Sequence, residues 1–141
     1  MHSSQTLGAL LLLSTTLSAA ELTLGTPFAD HMVLQRGKTV PVWGWANPGE
    51  KISVEFAGST QSGTASQDGS WRVALPPMEP SAEPRTLSVK SADSQERALK
   101  IQDVLVGEVW LGSGQSNMAM TVHGALNPDQ EAANSNLPLI R

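Results

Sequence analysis

The chain is 141 residues long, 40% hydrophobic, 16% charged and 4% aromatic, which leaves room for one domain, or one domain and a piece of another. Nine basic against thirteen acidic residues give a formal net charge of -4 with no Lys/Arg cluster, and this excludes the electrostatic footprint of a nucleic-acid binder. The sequence has no cysteine, so disulfide frameworks, thiolate metal sites, thiol nucleophiles and lipid attachment through sulfur are excluded together.

Residues 1–20 read as a secretory leader. An apolar run from Leu7 to Leu17 is followed by Ser18-Ala19-Ala20, small residues at the positions a signal peptidase tests. Cleavage after Ala20 leaves Glu21 first. The run is shorter than the roughly 20 residues that span a bilayer, so the expectation is a periplasmic or secreted product with no membrane partner after cleavage. No Lys or Arg precedes Leu7, and the reading therefore rests on the apolar run and the small residues behind it.

From Glu21 to Lys100 the pattern changes to period two. Ile52, Val54 and Phe56 share one face and Lys51, Ser53 and Glu55 the other, as in a half-buried antiparallel strand. Trp71, Val73 and Leu75 repeat this, and so do Leu87 and Val89. Turn signals separate the runs: Asn47-Pro48-Gly49, Ala57-Gly58-Ser59, Asp68-Gly69 and the connection from Pro76 to Pro84. Short strands at this spacing predict a mainly β fold, a small antiparallel β-sandwich over residues 21–100.

Two features of this segment admit a functional reading. Trp43 and Trp45 project from the same side of the predicted strand Val40 to Ala46. They are either stacking surfaces for sugar rings or core residues of a domain with few other large side chains, and the core is favoured. Asp30-His31 places an acid beside an imidazole. Neighbours on a strand face opposite ways, so that adjacency is not a catalytic geometry, and a polar pair at a strand end or interface is expected.

Residues 101–141 have a different character. Val104 to Leu111 is nearly continuous in apolar residues, broken by Gly107 and Glu108, which suits a strand covered on both faces in a parallel α/β sheet. Gly112-Ser113-Gly114-Gln115-Ser116-Asn117-Met118 follows, then the helix-compatible Ala119 to Val122. A second helix is predicted from Asn127 as N-cap, with Pro128 at the first helical position, Asp129 in the first turn and Gln130 in capping-box spacing. It stops near Asn134, and Leu139-Ile140-Arg141 has the look of another strand beginning.

A serine at the start of a helix behind a buried strand has its hydroxyl held at the carboxyl edge of a sheet, where α/β proteins place their sites. Its backbone N–H is among the unpaired donors of that helix start. Other readings of the loop are weaker. A dinucleotide loop wants glycine where Asn117 stands, a P-loop wants Gly-Lys-Ser/Thr, and the α/β-hydrolase elbow wants glycine where Met118 stands. An N-cap serine without chemistry is the bland alternative.

The block Gly107 to Met118 resembles the nucleophile block of the sialate O-acetylesterase family, serine esterases of the SGNH-hydrolase type. Asp30-His31-Met32-Val33-Leu34-Gln35-Arg36, Pro41-Val42-Trp43-Gly44-Trp45-Ala46 and Gly69-Ser70-Trp71-Arg72 resemble the β-domain that precedes the catalytic domain in the same family. The matching blocks run in order over essentially all of the mature chain. After the leader over 1–20, the resemblance implies two segments: a β-sandwich over 21–100 and the truncated start of an α/β, SGNH-like esterase domain over 101–141. It also implies hydrolysis of acetyl esters on a carbohydrate through an acyl-enzyme on Ser116, with no metal and no cofactor. Gly114, Gln115 and Asn117 then shape the oxyanion loop. Gly112 stands where relatives often carry cysteine, and Ala119 where an acidic residue is common, which leaves substrate preference open.

A serine hydroxyl needs a general base, and the family's Asp-x-x-His pair has no match here. Only His31 and His123 follow the leader. His123 is seven residues beyond Ser116, about 10 Å along a straight helix. The expectation is a chain inactive by itself, the N-terminal portion of an exported carbohydrate esterase, its segment beyond Val104 loosely held. The alternative is a non-catalytic β-sandwich that binds glycans or supports a partner.

Overall fold

The computed structural model describes residues 21–92 and 98–141. The expected leader lies outside the described residues. Among these residues the architecture is mainly β, with two sheets and a single short α-helix. The alternating pattern sets where each strand points. In β3 (Val40–Trp45), Val40 and Val42 turn inward while Pro41 and Trp45 turn to solvent. In β4 (Lys51–Phe56), Ile52, Val54 and Phe56 are buried, and in β6 (Ser70–Leu75), Trp71, Val73 and Leu75 are buried.

A three-stranded sheet has the order β1-β3-β6, where β1 is Thr23–Leu24. A five-stranded sheet has the order β2-β8-β7-β4-β5 and curls into a half-barrel. Its strands are β2 (Val33–Gln35), β5 (Ser59–Thr64), β7 (Ser81–Ser91) and β8 (Ala98–Gly107), with β4 between β7 and β5. Side chains from both sheets form one core that includes Val42, Ile52, Phe56, Leu75, Leu87 and Val104. Gly44 makes the edge of the smaller sheet possible, because a Cβ there would stand 1.9 Å from the Thr23 carbonyl oxygen.

Several expectations are corrected. The β region is not wholly antiparallel: β2 pairs with β8 in parallel, Val33 opposite Leu105 and Gln35 opposite Gly107. The buried strand expected over 104–111 stops at Gly107, leaving Trp110 88% and Leu111 95% exposed. The cause is its neighbour: β2 ends at Gln35, opposite Gly107, so among the described residues no strand pairs the chain beyond that point.

Past that point the structure is local. Single 3-10 turns form at Ser116–Ala119 and Val122–Gly124 where a continuous helix was compatible. The second helix is present as α1 (Pro128–Asn134), with Pro128 in its first turn, but Asn127 is left-handed at φ 55 and no side chain caps the helix. Leu139–Arg141 is not a strand; Ile140 N–H closes a turn onto the Leu137 carbonyl at 2.9 Å. Residues 108–141 join neither sheet among the described residues.

Candidate functional site

The chain leaves β8 under tight control. The Gln35 side-chain amide donates to the Glu108 carboxylate at 2.9 Å, and the same side chain's carbonyl accepts the Val109 N–H at 2.9 Å. Arg36 adds an ion pair with Glu108 at 2.8 Å, and its N–H donates to the Gly107 carbonyl. The Gln35 hydrogen bond, with the Arg36 guanidinium beside it, holds the Glu108 carboxyl below its ordinary value. The Gln35-Arg36 end of β2 therefore fixes the first residues of the segment that leads to Ser116.

Ser116 opens the 3-10 turn and is exposed, as are Gly114, Gln115 and Asn117. The turn is built by backbone, with Met118 N–H donating to the Gln115 carbonyl at 2.9 Å and Met120 N–H to the Asn117 carbonyl at 3.2 Å. Met118 folds back over the glycines, so a Cβ on Gly114 would stand 2.6 Å from its Cγ. A side chain at 114 would thus have to displace Met118 from its place over the loop.

The histidines lie elsewhere. Asp30 and His31 take separate partners on β8: the Asp30 carboxylate accepts the Gln102 N–H at 2.7 Å, and His31 Nδ1 bonds the Asp103 carboxylate. The pair thus packs a turn ahead of β2 against the middle of β8, and it is polar packing, not a catalytic couple. Arg141 reaches the same carboxylate at 2.9 Å, and His31 together with Arg141 draws the Asp103 carboxyl below its usual range. Both His31 and Asp103 have left-handed backbones, φ 67 and φ 55. His31 and Arg141 line an open groove of ≈ 680 Å³ with Glu108 and Trp110, and Ser116 is not in its wall. No hydrogen bond joins Ser116 to His31 or His123 among the described residues.

No protein-family model matches the chain. The human sialate O-acetylesterase is 31% identical over 123 residues, 79% of this chain, and the mouse sialate O-acetylesterase is 30% identical over 113 residues, 75% of it. The chain is homologous to the sialate O-acetylesterases. It spans about a quarter of the length of these relatives, 24% of the human and 21% of the mouse protein. The crystal structure of a carbohydrate acetylesterase from Xanthomonas citri matches 83% of this sialate O-acetylesterase homologue and 26% of its own chain, at 38% identity and a TM-score of 0.75.

In this homologue the core expectation for Trp43 and Trp45 is corrected: Trp45 is 47% exposed and Trp43 half-buried, because both sit on the outward face of β3, and Trp71 from β6 fills the core instead. The residues missed in the sequence are Gln35, Arg36 and Asp103 as binding partners. A signal existed for the first two, because Glu108 is the one charge in the apolar run 104–111, and a lone charge in such a run calls for a dedicated partner.

Proposed function

We propose that the chain carries the nucleophile of an exported serine esterase that removes O-acetyl groups from sugars. The observation that carries this reading is the 38% identity to a carbohydrate acetylesterase over 83% of the chain, taken with an exposed Ser116 at the head of a turn behind Gly112 and Gly114. In the proposed reaction Ser116 Oγ attacks the acetyl carbonyl carbon, and its proton passes to an imidazole outside these residues. The oxyanion forms against the Ser116 backbone N–H, with Gly114, Gln115 and Asn117 shaping the loop. The sugar hydroxyl leaves with a proton, and water then cleaves the acetyl-serine to acetate. Residues 1–20 direct export in this reading, and 101–141 open an α/β, SGNH-like domain.

A chimera tests it. Residues 21–141 replace the matching segment of the Xanthomonas citri enzyme, and hydrolysis of an acetylated sugar is measured. Activity is expected in the chimera and is abolished by Ser116→Ala; turnover that survives this substitution refutes the assignment. The 141-residue chain alone is expected to leave a chromogenic acetyl ester uncut, since neither His31 nor His123 bonds Ser116.

A further inference from the structure

The outer face of the three-stranded sheet carries an arrangement that the esterase reading does not use. Trp43 and Trp45 both turn outward from β3, their ring centroids 5.5 Å apart and their planes at 80°. Phe28 backs Trp43 edge-on at 6.1 Å, and the Trp43 indole lies so close over Gly25 that a Cβ there would stand 2.4 Å from the ring. Trp43 is thereby fixed from two sides, while Trp45 keeps 47% of its surface in solvent. A core function cannot explain an indole that a strand register turns away from the core.

What surrounds the rings is polar and ordered by the register. Arg72 stands directly opposite Trp43, and Ser70 opposite Trp45. Directly opposed residues of an antiparallel pair share a face, with Cβ atoms about 5 Å apart. Arg72 is exposed and has no carboxylate partner among the described residues. At the Trp45 end, the Asp68 carboxylate is taken up by the Ser66 hydroxyl at 2.6 Å and by the Ser70 hydroxyl at 2.7 Å. The face thus has an unpaired cation at one end, hydroxyls and a carboxylate at the other, and an apolar corner between them.

We propose that this face is a carbohydrate-binding site, separate from the Ser116 loop, for a pyranose that bears a carboxylate. The sugar's apolar C–H face stacks on Trp45, its carboxylate turns to Arg72, and its hydroxyls turn to Ser70 and the Asp68 end, where a second negative charge is disfavoured. Two indoles at nearly a right angle accept one ring in a corner; a flat run of several sugars needs coplanar plates. The site takes its ligand class from the carbohydrate reading above, and holds the glycan to the protein while the esterase loop works elsewhere on it.

The experiment titrates the protein with a trimer of N-acetylneuraminic acid, with chitotriose as the neutral control, and follows the indole N–H signals by NMR. Saturable shifts of Trp45 and Trp43 are expected with the acidic trimer. Trp45→Ala weakens binding at least about tenfold, and Arg72→Gln brings the acidic trimer down to the affinity of the neutral one. Ser116→Ala binds like the parent protein, so loss of hydrolysis in the chimera with intact binding here separates the two proposals. Absence of saturable shifts overturns the site, and so does equal binding of both trimers. A third overturning result is a dimer that Trp45→Ala makes monomeric, which makes the face a contact between copies. Trp45→Phe, which keeps an aromatic plate, retains most of the binding if stacking is the cause.

Discussion

Asp68 accepts hydrogen bonds from the Ser66 hydroxyl, the Ser70 N–H and the Ser70 hydroxyl, and these lower its pKa from 3.8 to about 2. A carboxyl whose folded pKa lies below its unfolded value stabilises the fold above the unfolded pKa, and the contribution disappears as pH falls through the folded one. Between about pH 4 and about pH 2 the urea midpoint should therefore drop in the parent protein, and Asp68→Asn should flatten that part of the profile while lowering the midpoint at neutral pH. Gln35 makes a second prediction at this scale. Because its carbonyl accepts the Val109 N–H, Gln35→Ala should speed hydrogen exchange of the Val109 amide about fivefold, as loss of about 1 kcal/mol requires. An unchanged exchange rate refutes the clamp at the exit of β8.

At the level of elements, the two sheets make different demands. Leu87 is fully buried in β7, which lies between β8 and β4, and Leu87→Ala should cost about 2–5 kcal/mol in denaturant unfolding. Gly44→Ala acts by intrusion: the added methyl meets the Thr23 carbonyl oxygen at 1.9 Å, so β1 must move off β3 at a cost of about 1–3 kcal/mol. These elements were largely legible in the sequence, because alternation at Ile52-Val54-Phe56 or Trp71-Val73-Leu75 reports a sheet with one covered face. The parallel pairing of β2 with β8 was not, since a three-residue strand paired with one 72 positions away leaves no mark in either local pattern. The same blindness hid the partners of Glu108 and Asp103. The strand from Val104 ends sooner than its composition predicts for a related reason: apolar composition states what a segment tends to bury, while the neighbour that buries it is specified elsewhere. Of the candidate site, the serine and its glycines were legible as a loop because the contacts that shape it are local, Met118 over Gly114 and backbone bonds within 115–120, whereas the Gln35–Glu108 clamp ahead of it is long-range and was not.

Across the whole molecule, hydrophobic burial ends at Val106. The turns at Ser116–Ala119 and Val122–Gly124 and the helix α1 bury no residue, while Trp110, Leu111, Leu126 and Ile140 stay exposed. A chain ending at Val109 keeps both sheets and the Gln35–Glu108 contact, so its thermal midpoint should lie within about 4 °C of the parent, and it should stay monomeric at concentrations where the longer chain self-associates. A large loss of thermal stability would show that the later segment supports the β fold. The β2–β8 pairing also sets an order in time. A ribosome finishes Val33–Gln35 long before Val104–Gly107 emerges, and through that interval the early strand has hydrogen-bonding groups with no mate. Whatever delays delivery of Val104–Gly107 to the folding chain lengthens the interval in which the early strand of one copy can pair with that of another.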